Sequence, residues 1–359
     1  MAVRGAGRRV LVGLTVLSLL AGCGAGATPT PGVATPPRSV SVPTPIAAPT
    51  VALALAPPAS ATATPTPAIG QTADDGARIT EVLTIDARTR DLRIESPALE
   101  GAVNVRLLLP VGFVAQAATR WPVLYLLHRV DQTYVDWTEN SDVEALTAHT
   151  NLLVVMPDGG LTASYSNWWN GGKGGPPEWE TFHLVELRQL LERNWHAGNE
   201  WAIAGVSMGG YGAMEYAARH PGMFVAAASY SGFLDPLGEH AAFLADAGDI
   251  ADLWGDPVAQ AAVWKAHDPS DIAAGLRGTA LYVAYGNGRP GPLDASSSGS
   301  QTDALEAEVA AMNETFVHRL AALKIPVTVY AYGAGTHSWP YWQRDFQRSL
   351  PFLLKALGA

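Results

Sequence analysis

The chain has 359 residues and a formal net charge of −10 at pH 7. This acidic balance disfavours nucleic acids and anionic lipid head groups as partners. Cys23 is the only cysteine in the sequence, so an internal disulfide is excluded.

The first 22 residues have the pattern of an export signal. The basic stretch MAVRGAGRR precedes an apolar run from Val10 to Leu20, which is too short to span a bilayer and fits the hydrophobic part of a signal peptide. The next residues, LAGC, resemble the lipobox of bacterial lipoproteins, where cleavage before the cysteine leaves a lipid-modified N-terminus. We expect a signal peptide over residues 1–22 and attachment to the outer side of the cell membrane through lipid on Cys23. The alternative is a plain secretory signal with an incidental cysteine.

A tether and one folded domain are expected after the signal. Residues 27–70 are rich in Pro, Thr, Ala and Ser and carry a single charge, Arg38, so they cannot bury a core. We therefore predict an extended, disordered tether over residues 23–76. Residues 77–359 have a length that a single α/β domain commonly reaches.

Strands and helices alternate along the predicted domain. Apolar runs bounded by turn residues indicate strands at 103–110, 122–128, 151–157, 200–205, 224–232, 279–286 and 326–333. Helical patterns follow at 141–149, 180–195, 208–220 and 302–323. This alternation predicts an α/β fold with a mostly parallel central sheet and helices on both faces. In such sheets the chemistry lies at the carboxyl ends of the strands.

One of these strand ends carries a candidate nucleophile. The segment Gly205-Val206-Ser207-Met208-Gly209 matches G-x-S-x-G between a strand and a helix, the context of a nucleophile elbow. Side chains two residues either side of the serine would collide with the neighbouring strand or helix, which explains the glycines. The alternative is an ordinary glycine turn that happens to contain a serine.

A serine nucleophile needs a histidine base and a carboxylate, in the chain order Ser, acid, His. His337, in GAGTHSWPYW, follows the last predicted strand and precedes a final amphipathic helix, where the base belongs. Spacing alone does not choose the acid, for which the candidates include Asp235, Asp294, Asp303, Glu306 and Glu308.

Short segments spread over the predicted domain carry a family resemblance: VLYLLH, DW at 136–137, VVMPDGG, SYSNWW, WETF, GVSMGG, LDP, DLWGD, YGNG and GTHSW. On these segments the chain resembles the secreted esterase superfamily that contains esterase D, bacterial feruloyl esterases and the antigen 85 mycolyltransferases. The last three segments point to the mycolyltransferase branch. The resemblance implies an α/β-hydrolase fold. It also implies Glu306 as the acid, because that branch carries its acid in a Leu-Glu pair upstream of the histidine.

Two backbone N–H groups must stabilise the oxyanion of such a reaction. Met208, the residue after the nucleophile, supplies one by geometry. The resemblance implies that the second comes from the loop after the strand at 122–128, near Arg129 and Val130. Most relatives carry glycine where this chain has Arg129, and arginine tolerates fewer backbone conformations. Either the loop needs no positive φ, or the oxyanion hole is altered.

Tryptophans accompany these residues. Trp168 and Trp169 lie on a Gly-rich connection after a strand end, where loops usually form the binding surface. Their flat rings can pack against sugar rings, aromatic esters or acyl chains. The alternative is that they anchor the loop to the domain. Trp339 begins the last helix and is expected to close the pocket beside His337.

The sequence therefore predicts an exported serine hydrolase that cleaves carboxylic esters through an acyl-serine intermediate. The same triad would serve an acyltransferase that moves an acyl chain, for example from an acylated glycolipid, to a sugar or polyol hydroxyl. A third alternative is a non-catalytic surface protein that binds carbohydrate or matrix, which the altered loop at Arg129 mildly favours. The sequence has no metal or nucleotide motif, and we expect no cofactor.

Overall fold

The computed structural model describes residues 69–114, 118–162, 164–169, 177–238, 253–295 and 301–359. These residues belong to one unit of the chain, Ala63–Ala359. The predicted signal peptide, Cys23 and most of the tether lie outside the described residues, so they stay predictions. Within the described ranges, no helix has the length and apolar character needed to cross a bilayer.

The described residues form a central sheet of nine strands in the order β1-β2-β3-β5-β4-β6-β7-β8-β9. The strands are β1 Arg78–Thr84, β2 Thr89–Ser96, β3 Gly101–Leu108, β4 Trp121–Leu127, β5 Leu153–Pro157, β6 Ala197–Val206, β7 Ala226–Tyr230, β8 Ala280–Tyr285 and β9 Thr328–Ala331. The first three strands and β5 pair in antiparallel fashion, and β5, β4 and β6 to β9 pair in parallel. The sheet is therefore mostly parallel, as predicted.

Helices follow the strands. They are α1 Asp136–Asn140, α2 Val143–Leu146, α3 Trp179–Thr181, a π-helical segment Phe182–Leu187, α4 Arg188–Asn194, α5 Met208–Arg219, α6 Ala261–Ala266, a 3₁₀ turn Ala273–Leu276, α7 Ala304–Ala322 and α8 Trp339–Leu357. The helix predicted at 141–149 is only the four residues of α2.

Two apolar clusters separate the sheet from its helices. One contains buried side chains of α4, α5 and α7, such as Leu190, Met214 and Phe316. The other contains Trp137 of α1 and the buried stripe of α8 that includes Phe346. The sheet is thus covered on both faces, which is why every residue of β5 and β7 is buried.

β6 lies in the middle of the parallel part, between β4 and β7. The loops after β4, β6, β7, β8 and β9 leave the sheet at the same edge, because parallel strands share one direction. This edge is where the sequence places its candidate nucleophile and base.

Candidate active site

Ser207 occupies a strained turn between β6 and α5. Its backbone angles are φ 56° and ψ −122°, a positive φ that costs a non-glycine residue roughly 1–3 kcal/mol. A Cβ atom at Gly205 would lie 2.1 Å from the backbone oxygen of Gly209, and a Cβ at Gly209 would lie 2.3 Å from that of Leu127. Both positions therefore exclude a side chain, and the turn can form only with glycine on each side of the serine.

The structure brings Ser207, His337 and Glu306 together in a hydrogen-bonded chain. Ser207 Oγ lies 2.8 Å from His337 Nε2, and His337 Nδ1 lies 2.7 Å from Glu306 Oε2. Glu306 is fully buried, Ser207 is 2% exposed, and the imidazole side chain is 8% exposed. Because a carboxylate only accepts hydrogen bonds, Nδ1 carries the proton and Nε2 is left to accept from the serine hydroxyl.

Glu306 is held by a second set of contacts that the sequence analysis missed. Its Oε1 accepts hydrogen bonds from Ser231 Oγ (2.8 Å) and from the backbone N–H of Gly286 (2.7 Å). Ser231 in turn accepts from the indole N–H of Trp342 at 3.1 Å. A signal was present, because Ser231 follows the end of β7 as Ser207 follows the end of β6.

Asp303, another of the candidate acids, shapes the loop of the base. Its Oδ1 accepts from the backbone N–H groups of Leu305 and Glu306 and so caps α7. Its Oδ2 accepts from the backbone N–H of His337 at 2.9 Å. One side chain thereby sets the position of both the acid and the histidine.

Asp294, also a candidate acid, ties the same loop to α8. Its carboxylate accepts from Thr336 Oγ1 (2.5 Å) and from the hydroxyl of Tyr341 (2.8 Å). Burial alone would raise the pKa of Asp294, but these hydrogen bonds and one from the Gly291 N–H lower it overall. Of the five candidate carboxylates, it is Glu306 that hydrogen-bonds the imidazole.

Aromatic side chains fix the plane of the imidazole. The ring of Phe233 stacks on His337 at a centroid distance of 6.0 Å, and Trp342 meets it edge-on at 4.9 Å. The rings exclude water from one side of the base and restrict its rotation, which keeps Nε2 directed at the serine.

The N-terminus of α5 and the loop after β4 lie side by side. Met208 is the first residue of α5, so its N–H has no acceptor within that helix. The carbonyl oxygens of Leu127 and His128 would be 2.3 and 2.7 Å from a Cβ at Gly209, which places the loop against the first turn of α5. Arg129 is not among the described residues with positive φ, whereas Asp131 is, at 57°. The loop therefore does not require glycine at position 129.

The predicted substrate tryptophans differ in exposure. Trp168 is half-buried against the core, and Trp169 is 39% exposed. Trp339 is half-buried, and its indole N–H donates to Asp136 Oδ1 at 3.2 Å. A cleft of about 470 Å³ adjoins it, lined by Asn140, Leu293, Trp339, Pro340, Gln343, Arg344 and Gln347.

Within the ranges that the structure describes, His, Cys, Asp and Glu side chains form no group of three or more that could hold a metal ion.

A serine on a strand-to-helix elbow, with its histidine after the last strand of a mostly parallel sheet, defines the α/β-hydrolase fold. The family described as "Putative esterase" matches residues 96–353. The chain belongs to this esterase family, and it is an enzyme of the class that hydrolyses esters or transfers acyl groups.

Individual relatives agree with this assignment. The chain is 33% identical over 252 residues to the diacylglycerol acyltransferase/mycolyltransferase Ag85B of Mycolicibacterium smegmatis, covering 66% of this chain and 77% of the relative. It is 33% identical over 273 residues to esterase Rv1288 of Mycobacterium tuberculosis, covering 72% of this chain and 58% of that protein. The crystal structure of Mycobacterium tuberculosis MPT51 superposes with a TM-score of 0.62 at 26% identity, covering 76% of this chain and all of MPT51.

Proposed function

We propose that the protein is an exported serine hydrolase that cleaves carboxylic esters through an acyl-serine intermediate. The observation that carries this proposal is the hydrogen-bonded chain from Ser207 through His337 to Glu306. Ser207 Oγ attacks the ester carbonyl carbon while its proton passes to His337 Nε2. The tetrahedral adduct then collapses, the C–O bond to the alcohol breaks, and the same proton leaves on the alcohol oxygen. Water then attacks the acyl carbon and gives a proton to His337 Nε2. The bond to Ser207 Oγ breaks, the proton returns to Ser207, and the carboxylic acid is released.

Glu306 serves this cycle by holding the imidazole in one tautomer. Ser231, Gly286 and His337 each donate a hydrogen bond to the side-chain carboxyl group of Glu306, an arrangement that suits a carboxylate. During each transfer the negative carboxylate stabilises the imidazolium that forms 2.7 Å away. The burial of the pair makes this interaction stronger than it would be in water.

The oxyanion is stabilised by two backbone N–H groups, each worth about 2.7–4 kcal/mol. The first is that of Met208, and the second comes from the loop that contains Arg129 and Val130. The position of this loop against the first turn of α5 supports the assignment.

Three substrate contacts complete the proposal. The exposed ring of Trp169, with Trp168 beside it, would pack against the acyl or aromatic part of the ester, and Trp339 would border the pocket of the leaving alcohol.

The enzyme would act outside the cytoplasm, attached to the membrane through lipid on Cys23. Metabolic lipid labelling of the wild type and of Cys23→Ser tests the attachment.

Acyl transfer to a sugar or polyol is the second candidate function. Two observations favour it. One is the sequence identity to a mycolyltransferase. The other is the cleft beside Trp339, where the side-chain amides of Asn140, Gln343 and Gln347 and the guanidinium of Arg344 could bind hydroxyls. Adding trehalose or another polyol to the reaction discriminates the two. A transferase diverts acyl product from free acid to the polyol ester, whereas a hydrolase releases the same amount of acid with or without the polyol.

The experiment that tests the active serine is mass spectrometry after exposure to a fluorophosphonate, for the wild type and Ser207→Ala. We expect one adduct, on Ser207, that the variant lacks, and ester turnover by the wild type alone. A folded wild type without adduct or turnover would contradict the proposal and favour the non-catalytic carbohydrate- or matrix-binding alternative.

A further inference from the structure

The loop after β4 offers two backbone N–H groups as the second oxyanion donor, those of Arg129 and Val130. The inference that follows rests on the proposed function, and it concerns which of the two N–H groups is available and what orients it. The contacts of His128, a buried residue outside the triad, decide the question.

His128 connects two loops through its imidazole. The backbone N–H of Gly159 donates to His128 Nε2 at 2.8 Å, so Nε2 carries a lone pair. The carboxylate of Asp158 is 3.6 Å from the same atom, which is beyond hydrogen-bond distance. The proton is therefore on Nδ1, and Nδ1 donates to the carbonyl oxygen of Arg129 at 2.7 Å.

This hydrogen bond fixes the peptide unit between Arg129 and Val130. The described residues contain no cis peptide bond, so the C=O and N–H of this unit point in opposite directions. With the carbonyl held against His128, the Val130 N–H points away from that ring. Among the described residues no acceptor receives the Val130 N–H, whereas the next N–H, that of Asp131, donates to the carbonyl of Leu161.

The guanidinium of Arg129 lies near the carboxylate of Asp136. Asp136 is fully buried, and burial raises the pKa of its carboxyl, while the guanidinium and the backbone N–H of Arg129 act to lower it. The Arg129 Nε lies 3.8 Å from Asp136 Oδ2. The guanidinium and the backbone N–H of Arg129 thus both act on the Asp136 carboxylate.

We propose that His128 is a positioning residue: its Nδ1–H holds the Arg129 carbonyl and thereby leaves the Val130 N–H as the second oxyanion donor. The backbone of His128 is itself fixed, because the hydroxyl of the buried Tyr165 donates to the carbonyl of His128 at 2.9 Å.

Two substitutions at position 128 test the contact of Nδ1 and the contact of Nε2 separately. Asparagine at position 128 places an amide near Nδ1 and can still donate to the Arg129 carbonyl. Glutamine places its amide near Nε2, so it keeps the contact with Gly159 and loses the one that orients the peptide. Both variants are made in the full-length protein. For each, kcat and KM are measured with 4-nitrophenyl butyrate, Ki with an alkyl trifluoromethyl ketone, and Tm by calorimetry.

We expect His128→Gln to lower kcat by about 10- to 100-fold, less than the 10²- to 10³-fold loss of a whole oxyanion donor. KM should stay within about twofold, because the oxyanion exists only in the transition state. The Ki of the ketone, whose adduct with Ser207 carries an oxyanion, should rise in proportion to the loss in kcat. His128→Asn should retain a kcat at least about fivefold above that of the glutamine variant.

Equal losses of kcat in the two variants, or losses that follow Tm alone, would overturn the proposal and leave His128 a structural residue. An unchanged kcat in His128→Gln would overturn it as well. The failure of the proposed function is a separate result, since it would appear as a wild type that neither turns over ester nor reacts with the fluorophosphonate.

Discussion

Replacing Glu306 with glutamine should remove catalysis through a tautomer change that the surrounding donors enforce. The backbone N–H of Gly286 donates to Oε1 at 2.7 Å and cannot rotate, so the amide oxygen of the new side chain must occupy that position. Its NH₂ group then faces His337 Nδ1 at the place of Oε2. Two donors cannot face each other, so the imidazole proton moves to Nε2. The Nε2 atom of His337, which faces Ser207, then has no lone pair to accept the serine proton.

The expected loss follows from this arrangement. An acid-to-amide change that forces the wrong tautomer lowers kcat by about 10⁴-fold in a serine triad, or about 5.5 kcal/mol of transition-state stabilisation. The opposite orientation of the amide would restore the working tautomer, but it places a buried donor against the Gly286 N–H at a cost of about 1–3 kcal/mol, so even by that route kcat should fall on the order of 10- to 100-fold. The fold should persist, since glutamine has nearly the volume of glutamate.

The assay is the kcat for a 4-nitrophenyl ester, normalised by the concentration of folded protein. Glu308→Gln, two residues further along α7, makes the same chemical change away from the imidazole and should keep kcat within about twofold. A kcat for Glu306→Gln within about tenfold of the wild type would refute the reasoning. It would mean that another carboxylate, with Asp303 the nearest candidate, orients the base.

Three further predictions concern packing, pH and substrate contact. Gly209→Ala should lower the unfolding free energy by about 3 kcal/mol or prevent folding, because its Cβ would overlap a carbonyl of β4. Calorimetry checks this. In the control Gly101→Ala the new Cβ meets only an ordinary van der Waals contact, so that variant should fold normally. Burial raises the pKa of Asp345 to about 7, so its contribution to stability is present below pH 4 and is lost as the pH rises through 7. Denaturant titrations should therefore show that Asp345→Asn gains on the order of 2–3 kcal/mol relative to the wild type between pH 5 and pH 8, and a pH-independent difference would contradict this. Trp169→Ala should raise KM for long-chain or aromatic esters by about fivefold at unchanged Tm, and Trp168→Ala should lower Tm; the reverse pattern would assign substrate contact to the buried ring.

The central strands of the parallel part of the sheet could be predicted from the sequence because they are buried on both faces. Continuous apolar runs such as those of β5 and β7 arise from that burial. The antiparallel strands β1 and β2 were missed. Neither forms a continuous apolar run: β1 has one buried residue, Ile79, and the buried residues of β2 are separated by charged ones, as in TRDLRIES.

Some residues of the candidate active site could also be predicted from the sequence, and others could not. That Ser207 and His337 lie together could be predicted, because a local motif and the chain order point to both residues. Glu306 required a family resemblance, because the fold, not sequence spacing, carries its carboxylate to His337. Ser231 and His128 could not be assigned roles, since each acts through a hydrogen bond to a residue that only the folded sheet edge brings near.

The two serines with positive φ at this edge show how the sheet supports the strain of the site. Ser207 follows β6, and its N–H donates to the carbonyl of Tyr230; Ser231 follows β7, and its N–H donates to the carbonyl of Ala284. In both cases the ladder of the sheet continues one residue past the strand, so a hydrogen bond offsets part of the roughly 1–3 kcal/mol of backbone strain. Ser207 is the proposed nucleophile, and Ser231 donates a hydrogen bond to the carboxylate of Glu306, the proposed acid. Both ends of the triad are therefore fixed by adjacent strands, and only His337 lies on a loop, which is why that loop needs Asp303 and Asp294 to hold it.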